Sequence, residues 1–199
     1  MGARVVAVTG SYRRGGILEA AVEAVLAGAR ARGAETCTIR LQDHHVEFCT
    51  HCRSCTQEPG QRRGACVQVD DLEAILARIE GADALVLGSP VSFYHVTAVF
   101  RRFLERLVGY AYWPWGRATG PAFRIKAPGR KAVLVASSAA PGLFLPLVTG
   151  APRALKLAAR VLGARPVGRL WIGLAARDPH QELTPRTLAR ARALGERLV

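Results

Sequence analysis

The hydrophobic and polar positions of this chain alternate between a period typical of strands and a period typical of helices. Short apolar or β-branched runs predict strands at 4–10, 35–41, 82–90, 130–138 and 164–173. Segments with apolar residues at helical spacing predict helices at 17–33, 70–81, 96–109, 151–163 and 184–198. Strand and helix therefore alternate along the chain, with a longer irregular segment only between the second strand and the second helix.

Five strand–helix units in succession predict an α/β fold in which helices cover both faces of a parallel sheet. For five strands and 199 residues we expect a flavodoxin-like three-layer αβα sandwich with strand order 2-1-3-4-5. No linker or internal repeat divides the chain, so 1–199 is interpreted as a single domain with a cysteine-rich insertion at about 43–67. In such sheets, ligands bind beyond the carboxyl ends of the strands, between strands 1 and 3.

The charge and the apolar runs exclude some classes of function. The net charge is +13, from 28 basic and 15 acidic residues, and only three of the basic residues are lysine. The arginines are scattered, whereas a nucleic-acid surface concentrates basic residues on one face, so we expect acidic small molecules or acidic proteins as partners instead. No run reaches the roughly 18 apolar residues that span a bilayer, and the N-terminus does not resemble a secretory signal. We therefore expect a cytoplasmic protein without a membrane anchor.

Four of the five cysteines lie close together in the sequence. The stretch CTHCRSC places Cys49, Cys52 and Cys55 at intervals of three, and Cys66 follows after ten more residues. Three thiolates at this spacing can occupy three corners of an iron–sulfur cubane while a more distant cysteine supplies the fourth. Zinc, and free or redox-paired thiols, stay open as alternatives. Cys37 lies inside the second strand and is interpreted as a small buried hydrophobic residue.

The segment GSYRRGG at 10–16 joins the first strand to the first helix. It places small residues, a hydroxyl and two arginines at a helix N-terminus, where an anion is stabilised. It is not a Walker A loop, because Ile17 follows Gly16 where a lysine would be required, and its glycine spacing is not that of a dinucleotide-binding loop. By itself the segment predicts either an anion site or an ordinary turn.

Three segments together resemble the NAD(P)H-dependent FMN reductase family of flavodoxin-like proteins: GSYRRGG, CVQVDDL at 66–72, and GSPVSFYHVTAVFRRFLER at 88–106. The resemblance runs from about residue 4 to residue 142, and with the cysteine segment it is closer to the iron–sulfur flavoprotein branch. The third segment is the most specific, with Gly-Ser-Pro after a strand, an aromatic loop, Val-Thr-Ala and an acid–arginine pair. This last pair, Glu105 and Arg106, is interpreted as a structural ion pair.

The resemblance implies FMN, with its phosphate at the loop after the first strand and its ring against two later loops. The phosphate contacts it implies are Ser11, Arg13, Gly16, Ile17 and Leu18. The ring contacts it implies are Pro90, Val91, Ser92, Phe93, Tyr94, Ser138 and Ala139. The family usually has polar residues at the positions of Ile17 and Leu18, so phosphate binding here depends on backbone N–H groups and Arg13. No side chain is predicted as a general acid or base, because the flavin carries the chemistry.

The resulting prediction is a redox protein with FMN and a [4Fe–4S] cluster held by Cys49, Cys52, Cys55 and Cys66. It would relay electrons between a ferredoxin-like donor and an unknown acceptor. The cysteine segment leaves the second strand at the edge where the flavin would bind, so cluster and flavin are expected to be near neighbours, within a subunit or across a dimer.

Two alternatives to this relay stay open. One is an NAD(P)H-dependent FMN or quinone reductase without a cluster, and the other is a zinc-bearing, non-enzymatic interaction module. The resemblance also implies a homodimer or homotetramer, with NAD(P)H as a candidate electron donor. The aromatic segment 109–126 is interpreted as a buried contact or as a wall of the flavin pocket, helped by Arg117 and Arg124.

Overall fold

The structure, a computed structural model, describes residues 2–60, 62–178 and 180–199. Its strands are β1 (Arg4–Thr9), β2 (Glu35–Arg40), β3 (Ala84–Ser92), β4 (His95–Val96), β5 (Ala111–Tyr112), β6 (Ala122–Phe123), β7 (Arg130–Ser137) and β8 (Ala164–Ile172). Its α-helices are α1 (Ile17–Ala31), α2 (Leu72–Glu80), α3 (Ala98–Arg106), α4 (Leu145–Val148), α5 (Ala151–Val161) and α6 (Pro185–Glu196). Every predicted strand and helix is present, and β4, β5, β6 and α4 are additional short elements.

Five of the strands form a parallel sheet in the order β2-β1-β3-β7-β8. This is the predicted order 2-1-3-4-5, and the predicted flavodoxin-like α/β fold is confirmed. Thr9 pairs with Arg40 on one side and with Gly88 on the other, while Pro90 pairs with Ser137. The loops that follow β1, β2, β3 and β7 therefore leave the sheet at one edge, where ligands bind in this architecture.

Two apolar clusters fill the space between the sheet and its helices. Helices α1 and α6 pack on one face, where Val5 and Val86 belong to the buried cluster. Helices α2, α3 and α5 pack on the other face, where Val6, Leu85 and Phe100 are buried. Successive strand residues point to opposite faces, which gives the three layers. Among the described residues, no helix combines the length and apolarity needed to cross a bilayer.

Strand β3 is longer than predicted and turns back through a hairpin. Val91 pairs with Val96 and Ser92 with His95, which leaves Phe93 and Tyr94 as the two turn residues. Both have positive φ, 42° and 67°, as the tight turns that match strand twist require. Asn and Gly usually occupy such turns, so an aromatic pair gave no turn signal and the predicted strand ended at residue 90.

Irregular chain between β2 and α2 carries the clustered cysteines. Short 3₁₀ turns occur at Leu41–Asp43 and Ser54–Thr56. Its two ends are joined near α2, because the backbone N–H of His45 donates to Asp71 (2.7 Å) and that of Glu47 donates to Asp70 (2.8 Å). The Asp71 N–H donates in turn to the His45 carbonyl (3.0 Å). The cysteine segment is therefore a closed loop with a hydrogen-bonded neck.

Candidate functional site

The loop after β1 presents the N-terminus of α1 at the sheet edge. Gly15 has φ 66°, and Gly16 is an N-cap without a side chain that could accept a hydrogen bond. The Ser11 hydroxyl is buried and exchanges hydrogen bonds with the backbone of Arg13, at 3.2 Å from its N and 3.0 Å from its O. The Leu18 side chain is 2% exposed and packs in the core. Any phosphate contact at this position is therefore limited to its backbone N–H.

One backbone donor of this loop already has an anionic partner. The Gly15 N–H donates to the Glu19 carboxylate (2.7 Å), and Glu19 also pairs with Arg40 (3.1 Å). Glu19 in the first turn of α1 thus satisfies the N–H group of the residue before the N-cap. The other N–H groups at the start of α1, together with Arg13, fit a phosphate group.

The residues predicted to contact the flavin ring lie side by side. The pairing of Pro90 with Ser137 places Ser138 and Ala139 next to the β3 hairpin. The Ser138 hydroxyl donates to the Ala140 carbonyl (2.9 Å) and its N–H donates to the Ile172 carbonyl (2.9 Å), which fixes this loop. Phe93 and Tyr94 are 95% and 69% exposed at the hairpin tip. The structure therefore brings the predicted ring loops and phosphate loop to one edge.

Two buried hydroxyls of the segment 88–106 connect these loops. Thr97 Oγ1 donates to the Gly10 carbonyl (2.6 Å) and accepts from the Phe100 N–H (3.4 Å), so Thr97 caps α3. Ser89 Oγ accepts from the Thr97 N–H (3.1 Å). A side chain at Gly10 would place its Cβ 2.6 Å from the Phe100 Cβ, so this crossing requires glycine. These residues orient the loop after β1 relative to β3.

The four clustered cysteines line a single cavity of about 320 Å³. The remaining lining residues are Thr50, His51, Arg53, Gln68, Glu105, Arg106, Val108 and Trp113. All five cysteines are free, and Cys37 lies elsewhere, in β2; it packs against the core but is half-buried rather than buried. Within the described residues, no three His, Cys, Asp or Glu side chains converge closely enough to hold a metal ion. The structure thus gathers the four thiols around a common space without forming a metal geometry.

The thiols of this cavity influence one another. Burial raises the pKa of the Cys55 thiol, and the neighbouring Cys66, Cys49 and Cys52 raise it further. The Ser54 hydroxyl lies 3.5 Å from the Cys52 sulfur, and its hydrogen bond lowers the pKa of that thiol. Hydrogen bonds and cations favour the thiolate, which is the metal-binding form of cysteine.

Three buried N–H groups around the cavity have no hydrogen-bond partner among the described residues: Arg53 Nε, Arg106 Nε and Trp113 Nε1. Each belongs to a lining residue. A buried donor without a partner costs about 1–3 kcal/mol, so native proteins rarely leave one. The cavity also has roughly ten times the volume that one water molecule occupies in the liquid. Four thiols and this volume fit a polyatomic group such as an iron–sulfur cluster better than a single ion.

The aromatic segment 109–126 packs against the cysteine segment, and its Trp113 lines this cavity. Its interpretation as a wall of the flavin pocket stays a prediction. The Arg53 guanidinium lies between the rings of Trp113 (3.7 Å) and Trp115 (4.0 Å) and donates to the Trp113 carbonyl. The backbone N–H of Trp113 donates to the Thr56 carbonyl (2.9 Å). Arg124 is 5% exposed and donates to backbone carbonyls, among them that of Cys55. Arg53 and Arg124 therefore hold the backbone of both segments in place.

Gly64 brings the chain between the third and fourth cysteines against the aromatic segment. Its N–H donates to the Gly109 carbonyl (2.9 Å). A Cβ at Gly64 would lie 1.8 Å from the Cys55 carbonyl oxygen, so the backbone at Gly64 is in direct contact with the backbone at Cys55. This contact fixes the approach of the chain to Cys66.

The predicted ion pair between Glu105 and Arg106 is wrong. Arg106 pairs with Asp70 (2.6 Å), and both side chains are 1% exposed. Glu105 pairs with the exposed Arg101 one helical turn earlier (3.0 Å). Adjacent helix residues point in different directions, so neighbours in the sequence do not meet.

The sequence pattern contained a signal for the role of Arg106. Val99, Phe103 and Arg106 have the spacing i, i+4, i+7 and therefore share the buried face of α3. An arginine on an apolar face needs a buried partner. Arg53 and Trp113 gave no comparable signal, because their contact joins distant parts of the chain.

The cavity lies along α3, away from the sheet edge. Thr97 at the beginning of the helix contacts the loop after β1, whereas Glu105 and Arg106 at its end line the cavity. Nine residues of helix separate the two ends, which is about 13 Å at 1.5 Å per residue. In one chain the two candidate sites therefore lie at opposite ends of α3. That cluster and flavin are near neighbours, within a subunit or across a dimer, stays a prediction.

Comparison with known proteins agrees with this architecture. A sequence model of the family described as NADPH-dependent FMN reductase matches residues 3–142. An iron-sulfur flavoprotein from Archaeoglobus fulgidus is 30% identical over 111 residues, which cover 56% of this chain and 48% of that protein. An iron-sulfur flavoprotein from Methanosarcina thermophila is 28% identical over 105 residues, with coverage of 53% and 52%. The chain thus spans about half the length of these curated relatives.

A solved structure is similar over its whole length. An NAD(P)H:quinone oxidoreductase from Methanothermobacter marburgensis has a TM-score of 0.74 and 20% identity, with full coverage of both chains. At this identity the similarity establishes the shared fold.

Proposed function

Because the chain belongs to the NADPH-dependent FMN reductase family, we propose that it is an FMN-dependent oxidoreductase that also carries a [4Fe–4S] cluster. Cys49, Cys52, Cys55 and Cys66 would hold the cluster. When bound, FMN supplies two-electron chemistry and the cluster supplies one-electron transfer, which suits a relay between a ferredoxin-like donor and an acceptor. The names of the iron-sulfur flavoprotein relatives support the second cofactor.

One observation carries this proposal: four of the five cysteines line one cavity. Thiols kept for structural packing would resemble Cys37, which lies against the core. Free thiols of this kind also suit the reducing environment of a cytoplasm, which we propose as the location.

At the sheet edge, the chain would bind and orient FMN with backbone groups and small side chains. The N–H groups around Gly16, with Arg13, would hold the phosphate. The loops at 90–94 and 138–139 would lie against the ring. Through their hydrogen bonds, Ser89 and Thr97 hold the loop after β1 in a fixed position relative to the end of β3. NAD(P)H as an alternative donor and assembly into a homodimer or homotetramer belong to the same proposal.

The test is anaerobic reconstitution with iron and sulfide, with Cys66→Ser compared with Cys37→Ser. Wild type and Cys37→Ser should be brown, with about four irons and four sulfides per chain and bound FMN. Cys66→Ser should lose most of the iron and sulfide but keep FMN, because the two candidate sites lie at opposite ends of α3. Equal iron and sulfide contents in both variants would contradict the ligand assignment.

Two other results would each favour a different function. Yellow protein with FMN but no iron would indicate an NAD(P)H-dependent FMN or quinone reductase without a cluster. This second candidate is favoured by one observation: within the described residues, the cysteine sulfurs do not lie close enough together to hold a metal ion. Colourless protein with zinc and no sulfide would indicate the zinc-bearing interaction module.

A further inference from the structure

A single buried arginine contacts both ends of the cysteine segment and one of its sulfurs. The guanidinium of Arg106 donates to the Glu47 carbonyl (2.7 Å), two residues before Cys49. It donates to the Asp70 carboxylate (2.6 Å), four residues after Cys66. It also donates to the Cys66 sulfur itself (3.4 Å). The same side chain therefore fixes the entry to the segment, its exit and its last thiol.

The surroundings hold this guanidinium in one orientation. Arg106 is 5% exposed overall. The Asp70 carboxylate that faces it also accepts from the backbone N–H groups of Glu47 (2.8 Å) and Leu72 (3.0 Å). With the carboxylate fixed at both oxygens, the planar guanidinium is held in one orientation: Nη1 donates to Glu47 and Asp70, and Nη2 lies 3.5 Å from Asp70 Oδ1 and 3.4 Å from the Cys66 sulfur.

We propose that Arg106 is a positioning residue for the [4Fe–4S] cluster and raises its reduction potential. The inference rests on the function proposed above and deepens it. An N–H donor to a ligand sulfur stabilises the reduced cluster more than the oxidised one, because reduction adds negative charge at the sulfurs. The same contacts keep the Cys49 and Cys66 parts of the segment at a set distance, so that both thiolates reach one group.

Lysine cannot reproduce this role. Its ammonium group is a single point donor, whereas Arg106 reaches a carbonyl, a carboxylate and a sulfur at the same time. Arg106→Lys therefore keeps the buried charge opposite Asp70 and loses the bond to sulfur. Arg106→Gln removes the charge as well. Arg101→Lys is the matched control, because Arg101 lies on the same helix and its ion pair with Glu105 is exposed.

The experiment measures iron and sulfide per chain and the midpoint potential of the cluster by EPR-monitored redox titration of the reconstituted holoproteins. Arg101→Lys should match wild type. Arg106→Lys should shift the one-electron equilibrium toward the oxidised form by about tenfold, equivalent to about 59 mV. Arg106→Gln should show the same direction with less cluster per chain. Loaded Arg106 variants with the wild-type potential would overturn the inference.

A second measurement has its deciding result in the wild-type protein, and a variant serves only to assign the signal. Protein labelled with ¹⁵N-arginine should show a ¹⁵N coupling to the reduced cluster in pulsed EPR, and the coupling should be missing in labelled Arg106→Lys. Absence of the coupling in wild type overturns the inference while the proposed function stands. Wild type that binds neither iron nor sulfide overturns both.

Discussion

Asp70→Asn would break the buried ion pair at the neck of the cysteine segment. The two charged groups are 2.6 Å apart and 1% exposed, so no solvent compensates Arg106 once its partner is neutral. Removing one member of such a pair costs about 3–5 kcal/mol. For a chain of this length that corresponds to a fall in Tm of roughly 6–20 °C. Glu105→Gln, in the exposed pair with Arg101, should cost only about 0.3–0.5 kcal/mol.

The assay is urea unfolding of the reduced, cofactor-free protein at pH 7, followed by far-UV circular dichroism. Wild type, Asp70→Asn and Glu105→Gln are compared under the same conditions. Asp70→Asn should lower the free energy of unfolding several times more than Glu105→Gln. Equal losses from the two substitutions would refute this expectation, because they would mean that burial does not strengthen the pair.

The pH dependence gives an independent check. Burial alone would raise the pKa of Asp70, but hydrogen bonds from Arg106 and from two backbone N–H groups bring it below the ordinary value of 3.8. The folded state therefore binds this proton less readily than the unfolded state. Its stabilising contribution is complete above pH 3.8 and is lost as the pH falls through the folded-state pKa. The stability difference between wild type and Asp70→Asn should narrow over that range and stay constant from pH 5 to 7.

Two further substitutions test the contacts that shape the two sites. Thr97→Ala removes the N-cap of α3 and the bond to Gly10, so urea unfolding should show a loss of about 1–2 kcal/mol and fluorescence titration should show weaker FMN binding; unchanged stability would contradict the capping role. Arg53→Met removes the cation between Trp113 and Trp115, worth about 1–2 kcal/mol, so tryptophan emission should shift to longer wavelength. If Arg53→Met kept the emission and the stability of wild type, the stabilising role of Arg53 between the two rings would be contradicted.

The fold could be predicted because its determinants are local. Strand 4–10 and helix 17–33 each carry their own periodicity, and their alternation leaves little choice of topology. The hairpin at Phe93 and Tyr94 was missed because its turn lacks the residues that normally adopt positive φ. Tertiary pairing through β4 overrides that local preference.

The candidate site could be predicted only in part. The spacing of Cys49, Cys52, Cys55 and Cys66 predicted that these thiols share one site, and in the structure all four line one cavity. Their position along α3 could not be deduced, because it depends on the pairing of Arg106 with Asp70, 36 residues apart in sequence. Contacts over such distances leave no periodic trace in the chain.

The contact of Gly64 with Cys55 and Gly109 has a consequence for how this segment can vary in length. Residues 58–60 and 62 are exposed, and they lie before the point at which Gly64 meets the Cys55 carbonyl. Extra residues inserted there would extend into solvent at little entropic cost and leave the fourth cysteine where it is. An insertion after Gly64 would instead displace Cys66 from its arginine. The ten residues between Cys55 and Cys66 therefore consist of an exposed part, whose length can change, and a short part after Gly64, whose length is fixed.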